Sequence, residues 1–315
     1  MKILFDTDPG IDDAMALLML ARDPRAELVG ISTVFGNAPV DTTTANALAL
    51  CERFGIGAPV ARGAAQALVL PPRGFPEDVH GRDGMGNAAP PAAREHQADA
   101  RPAAKFISDM ARRHSGELTL VAVGPLTNLA LALEQDPELT RHVQRVVVMG
   151  GAFGLRGHGG NVTPVAEANI YCDPHAADRV LTADWPVTLV GLDVTQQVLM
   201  HTEYLNALGN HGGVEGRFIR YITHHYEAFY NTRTGGGIYS HDASAVAYAL
   251  DPSAFALRHG AVRVVTDGIA IGQTIQSPQG QQFGATDWLG HPAQAVCVDV
   301  DAPRLLAEFR ALFVR

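Results

Sequence analysis

Short apolar runs rich in β-branched residues alternate along this chain with longer stretches whose apolar positions recur every three or four residues. Residues 28–36 (LVGISTVFG), 118–124 (LTLVAVG), 143–150 (VQRVVVMG), 185–194 (WPVTLVGLDV) and 262–268 (VRVVTDG) are apolar enough to be strands covered on both faces. A shorter strand, ILF, lies at 3–5. Helical periodicity marks about 12–22, 40–54, 101–114, 126–135, 174–183, 213–231, 242–249 and 303–313. This alternation predicts an α/β fold, an open and mostly parallel twisted sheet with helices on both faces. No internal repeat is visible, and the Ala- and Pro-rich segment 88–104 reads as an exposed loop leading into a helix, so one domain over 1–315 is the expectation.

Composition narrows the ligand classes. With 315 residues, 47% hydrophobic and 18% charged, the chain can bury a sizeable core. A formal net charge of −9 and the lack of any Lys/Arg run argue against nucleic acid or a membrane surface as partner, since both demand clustered positive charge. A small neutral or cationic molecule, or a metal ion, fits better. Cys51, Cys172 and Cys297 are widely spaced with no CxxC pair, which predicts buried thiols rather than disulfides or a zinc ribbon. Acids interrupt the first apolar stretch, and no apolar run reaches the roughly 18 residues a membrane helix needs, so a cytoplasmic setting is expected.

Against that background DTDPGIDDAMALL is conspicuous, placing Asp6, Asp8, Asp12 and Asp13 within eight residues where a strand gives way to a helix. Like charges repel by about 1 kcal/mol per pair at 4 Å in water, and by more in a lower dielectric. Asp6 and Asp8 lie two apart and so share a face at the strand end, Pro9-Gly10 makes the turn, and Asp12 and Asp13 begin the helix. Helix capping accounts for Asp12 or Asp13 singly, but not for four acids. In sheets of this class, ligands bind beyond the carboxyl ends of the strands, which is where the acids fall. An Asp-x-Asp motif after a first strand also resembles the magnesium-dependent haloacid-dehalogenase phosphatases. That chemistry needs a lysine near the phosphate, and the only lysines are Lys2, at the wrong strand end, and Lys105. A hard divalent cation held by carboxylate oxygens neutralises the cluster directly.

Further motifs make the pattern specific. DTDPGIDDAMALL resembles the N-terminal signature of the inosine–uridine preferring nucleoside hydrolase family, and HGRDGMGN (80–87), VGPLTNLA (123–130), VVVMGGAF (146–153), GNVTPVAEANIYCDPHAA (160–177) and HDASAVAY (241–248) resemble five more of its elements in order. The resemblance implies the family's nucleoside hydrolase fold and the cleavage of ribonucleosides to free base and ribose. It also implies a Ca2+ site made by Asp8, Asp13, Asp242 and the Val123 carbonyl. Asp8 is then the base that activates water, Asp12 reads the ribose 2′-hydroxyl, Asn169 joins it at the diol, and Asn161 and Glu167 hold the 5′-hydroxyl. Asn37 faces the same pocket, while Asp6 is left as support for the cluster. Such chemistry suits an oxocarbenium-like transition state, which needs a nucleophile at the anomeric carbon and stabilisation of positive charge on the sugar.

At the base end the resemblance implies His241 as the leaving-group residue and His80 beside the base, as in pyrimidine-preferring members. In 217–231, Phe218, Ile222, His225/Tyr226 and Phe229 share one helical face, which an amphipathic core helix explains. Tyr226 and Tyr230 fall where relatives carry a mobile covering segment, and TRTGGG (232–237) supplies glycines for a lid. Ala168 stands where many relatives have an aromatic residue, and Trp185 and Trp288 do not form a pair able to sandwich a purine. The family further implies a homodimer or homotetramer. A protein that binds ribose or a ribonucleoside without turnover is the alternative within the same residue set.

Overall fold

The computed structural model describes residues 1–281 and 283–314. An eight-stranded sheet runs through it, built from β1 (Lys2–Thr7), β2 (Glu27–Thr33), β3 (Val60–Arg62), β4 (Leu118–Ala122), β5 (Val143–Met149), β6 (Val187–Val190), β7 (Phe255–Gly260) and β8 (Gln294–Val300). Their order is β3-β2-β1-β4-β5-β6-β8-β7, and every pairing is parallel except that of β7 with β8. The α/β class read from the sequence is borne out.

Strand alternation sorts side chains between two helical layers. Ile3 and Phe5 enter one apolar cluster with Val121 and Val147, while Leu4, Leu120 and Val148 enter the other. The first cluster is covered by helices Ile11–Arg22, Val40–Phe54, Thr202–His211, Gly213–Thr234, Asp242–Leu250 and Ala302–Phe313, the second by Ala103–Arg113, Thr127–Gln135 and Pro174–Thr182. Strand order reverses between β1 and β4, which opens a crevice beyond their carboxyl ends.

The departures from the sequence reading have local causes. The predicted strand 185–194 is cut short at Val190, and Leu192–Thr195 is a helical turn. Gly191 makes the change of direction, because a Cβ there would lie 2.7 Å from the Gly151 carbonyl. Within 262–268 only Val262–Val264 is extended, and it pairs antiparallel with Thr274–Gln276 outside the main sheet. Arg263, bound to Asp178 at 2.8 Å, makes that run unsuitable for a strand buried on both faces. Three strands of the main sheet, β3, β7 and β8, were not expected. The loop 88–102 lies mostly at the surface before helix Ala103–Arg113. Cys51 and Cys297 are buried and Cys172 half-buried, none of them in a disulfide.

Gln294 holds β8 in place. Its side chain is buried, accepts from the Val187 N–H at 2.8 Å, and donates to the Leu181 and Trp185 carbonyls at 3.0 and 3.2 Å. Gln294→Leu strands all three groups and is expected to lower stability by about 2–4 kcal/mol in urea unfolding. A loss below about 0.5 kcal/mol would show that the clamp carries little of the sheet's stability.

Candidate active site

All four acids of the opening motif are buried where β1 meets helix Ile11–Arg22. Asp13 does act as a cap, since its Oδ2 accepts from the Gly10 N–H at 3.0 Å. It also anchors the turn, with Oδ1 accepting from Thr7 Oγ1 at 2.6 Å and Oδ2 from Asn37 Nδ2 at 2.8 Å. Asp8 Oδ2 accepts from the Asn37 N–H at 2.7 Å, and its Oδ1 is buried with no hydrogen-bond partner among the described residues. Two glycines make room for that carboxylate: a Cβ at Gly36 would fall 2.0 Å from Asp8 Oδ2, and one at Gly124 would fall 2.5 Å from Oδ1. Asp12 Oδ2 accepts from the Tyr226 hydroxyl at 3.3 Å, and its Oδ1 is likewise unpartnered. Asp6 does not line the cavity. It accepts from Ser32 Oγ at 2.5 Å and Asn128 Nδ2 at 2.8 Å, tying β1 to β2 and to the start of helix Thr127–Gln135.

Asp242 arrives from far along the chain at the first position of helix Asp242–Leu250. Carboxylate oxygens of Asp12, Asp13 and Asp242 lie within 4.8 Å of one another, and Asp8 is outside this tightest group. No lysine or arginine forms an ion pair with any of these acids among the described residues; Lys2 pairs with Glu117 and Lys105 with Asp109. Burial, reinforced by the neighbouring carboxylates, holds Asp8 and Asp242 far above the ordinary carboxylate range and raises Asp13. Burial pushes Asp12 up to about 6 and Asp6 to about 7. Buried acids with unpartnered oxygens and no basic residue beside them form a donor set that fits a hard divalent cation.

Beside the acids opens a cavity, with about 660 Å³ of empty space when its open mouth is counted. Asp12, Asn37, Asn161, Glu167, Asn169 and Asp242 line its polar end together with Val123. Glu167 caps the short helix Ala168–Cys172, accepting from the Asn169 N–H at 2.9 Å and the Ile170 N–H at 3.1 Å, and it also takes the Gly151 N–H at 3.1 Å. Asn169 Nδ2 donates to the Val123 carbonyl at 2.8 Å. Asn161 stands in an exposed loop at the rim.

His80, Tyr226, Tyr230 and His241 line the same cavity, so the sequence-derived set converges on it except for Asp8 and Asp13, which do not line it. His80 Nδ1 accepts from the Ile11 N–H at 3.4 Å, and its ring lies 5.4 Å from that of Tyr226. His241 is held at both nitrogens, Nδ1 lying 2.8 Å from Thr195 Oγ1 and Nε2 3.1 Å from the Tyr230 hydroxyl. Burial pushes both imidazoles down to about 4, so they are neutral near pH 7.

Two expectations about helix Gly213–Thr234 need correction. Phe229 lines the cavity rather than only filling the core, whereas Phe218 does pack in the core against Phe54. Residues 232–234 finish the helix instead of starting a loop; only Gly235–Gly237, all at positive φ, form the turn. Pro76, Val79, Met149, Val162 and Arg233 also line the cavity and were missed. Positions 226, 229, 230 and 233 fall on one helical stripe, a signal that would have found Arg233 once Tyr226 was assigned.

Comparison with known proteins matches residues 3–307 to the family model described as inosine-uridine preferring nucleoside hydrolase. A probable uridine nucleosidase 1 of Oryza sativa subsp. japonica is 39% identical over 316 residues, covering 99% of this chain and 96% of the relative. A solved plant nucleoside hydrolase superposes with a TM-score of 0.94 at 36% identity, covering 99% of this chain and 98% of its own. A purine-preferring ribonucleoside hydrolase from Gardnerella vaginalis superposes with a TM-score of 0.90 at 31% identity over the same shares.

The glycine at 124 offers a direct check on whether the acidic cluster holds a cation. Gly124→Ala places a methyl group against Asp8 Oδ1, and if the cluster takes a divalent cation the variant is expected to bind it at least about tenfold more weakly in titration calorimetry. Unchanged affinity would remove Asp8 from the cation site.

Proposed function

This chain belongs to the inosine-uridine preferring nucleoside hydrolase family, and on that premise we propose that it uses calcium and an aspartate-activated water to hydrolyse ribonucleosides to free base and ribose. The carrying observation is the buried carboxylate cluster with unpartnered oxygens beside the cavity. Asp8, Asp13, Asp242 and the Val123 carbonyl would hold the ion, which when bound lowers the pKa of a water and fixes the sugar diol.

The chain's own groups divide the remaining work. Asp8 Oδ1, buried and without a partner, accepts the proton of the attacking water. Asp12 Oδ1, equally unpartnered, accepts from the 2′-hydroxyl, and Asn169 joins it at the diol. Glu167 and Asn161 take the 5′-hydroxyl, and Asn37 fixes Asp8 and Asp13 through its amide groups. The C1′–N bond then breaks with its electron pair passing to the base, where His241 and His80, with Tyr226 and Tyr230, donate hydrogen bonds. A neutral imidazole suits that role because it carries one N–H donor.

The reading includes a preference for pyrimidine nucleosides. Trp185 is buried, donating to the Val180 carbonyl at 2.8 Å, and neither it nor Trp288 lines the cavity, so no indole pair is present to sandwich a purine. The homodimeric or homotetrameric state and the cytoplasmic setting belong to the same reading, the first resting on family membership. No described helix is long and apolar enough to cross a membrane.

EDTA treatment is expected to abolish release of reducing sugar from uridine and inosine, and calcium to restore it; full activity after exhaustive chelation would overturn the metal assignment. Asp8→Ala is expected to lower kcat by about 10³–10⁴-fold. A protein that merely binds ribonucleosides would show no turnover to lose. 2′-Deoxyuridine is expected to react about 10³-fold or more slowly than uridine, because Asp12 would be left unpaired, and equal rates would remove Asp12 from ribose selection.

A further inference from the structure

The base end of the cavity is organised by a residue that does not line it. Thr195 closes the helical turn Leu192–Thr195, is fully buried, and places Oγ1 2.8 Å from His241 Nδ1. The turn itself is rigidly held. Asp193 accepts from the Phe153 and Leu155 N–H groups at 2.8 and 2.6 Å, and the Thr195 N–H donates to the Gly191 carbonyl at 3.1 Å. A neutral imidazole has one N–H, and Thr195 decides which nitrogen carries it.

His241 Nδ1 is the only hydrogen-bond partner of Thr195 Oγ1 among the described residues. If Nδ1 carried the hydrogen, Thr195 would accept it and its own hydroxyl hydrogen would be stranded in the interior. Buried donors without acceptors are costly and rare. The hydroxyl therefore donates to Nδ1, and the imidazole hydrogen sits on Nε2, facing the Tyr230 hydroxyl 3.1 Å away on the cavity wall.

We propose that Thr195 is a positioning residue for base departure, fixing His241 as the Nε2–H tautomer so that the His241–Tyr230 pair presents a donor to the leaving base. This rests on the reading of His241 as the leaving-group residue. As the C1′–N bond breaks, its electron pair moves to the base, and Nε2–H meets that charge directly or through the Tyr230 O–H. Water adds its oxygen to C1′ and gives a proton to Asp8. Asp8 returns that proton to solvent and the base takes one from solvent, so the imidazole keeps its hydrogen. With the opposite tautomer, Nε2 would accept from Tyr230, turning the hydroxyl's hydrogen away from the substrate.

The test compares uridine with p-nitrophenyl β-D-ribofuranoside, whose phenolate departs without hydrogen-bond assistance. Thr195→Val, nearly isosteric, is expected to lower kcat on uridine roughly 10- to 100-fold with KM within about threefold, and to change the p-nitrophenyl rate less than about threefold. Thr195→Ser, which keeps the hydroxyl, should restore uridine turnover to within about threefold, and Thr195→Ala serves if the valine variant does not fold. Equal losses on both substrates, or failure of the serine variant to recover, would reduce Thr195 to a packing role and overturn the proposal. His241→Ala separates the layers. If it is impaired on uridine while Thr195→Val is not, the proposal alone fails; if it turns over uridine at the wild-type rate, the leaving-group reading fails and the proposal with it.

Discussion

Everything at this site follows from burying several carboxylates without a basic partner. Desolvation opposes each charge and the neighbouring acids oppose one another, so the interior disfavours the ionised cluster unless a cation enters it. The fold tolerates the arrangement because much of it is satisfied locally. Thr7 and Asn37 donate to Asp13, and Asn37 also holds Asp8, while the glycines at 36 and 124 leave the room that Asp8 requires. Three carboxylate oxygens of the motif are left buried without a partner among the described residues, Oδ2 of Asp6 and Oδ1 of Asp8 and Asp12, and of these three acids only Asp12 lines the cavity.

The sheet supplies the geometry that local hydrogen bonds cannot. Asp8 leaves β1 and Val123 leaves β4 at the point where strand order reverses, which sets an acid and a carbonyl side by side although they are far apart in sequence. Helix Asp242–Leu250 then brings Asp242 to the same end of the sheet, and Gly151 links Glu167 to the helical turn that holds His241. The Gly151 N–H donates to Glu167, and the Gly151 carbonyl accepts from the Leu192 N–H at 2.9 Å. Both ends of the cavity are therefore set by the backbone just after β5.

Much of this was legible in the sequence because charge density and periodicity are local properties. The acids of 6–13 stood out from spacing alone, and the parallel sheet followed from alternating apolar runs. What escaped depended on long-range pairing. β8 was missed because its short run AVCV is bounded by Gln294 and Asp299, and only the Gln294 clamp on Val187, Leu181 and Trp185 explains why a polar residue begins an interior strand. Residues 262–268 failed as a sheet strand because Arg263 finds Asp178, a partner no periodicity reveals. Thr195 carries no motif at all; its importance exists only through the 2.8 Å contact with a residue 46 positions later.

The cavity is assembled from two kinds of support. Its acidic side rests largely on strand termini and the turns that leave them, which cannot shift without disturbing the sheet. Much of its aromatic wall hangs from a single helix, Gly213–Thr234, whose residues 226, 229, 230 and 233 form one stripe, joined to the acids by the Tyr226 contact with Asp12. Such a division makes part of that helix face exchangeable. Within the stripe, Tyr226 and Tyr230 are tied to Asp12 and His241, whereas Phe229 and Arg233 bond neither, so these two are the positions that can change the shape of the cavity while the acids and His241 keep their partners.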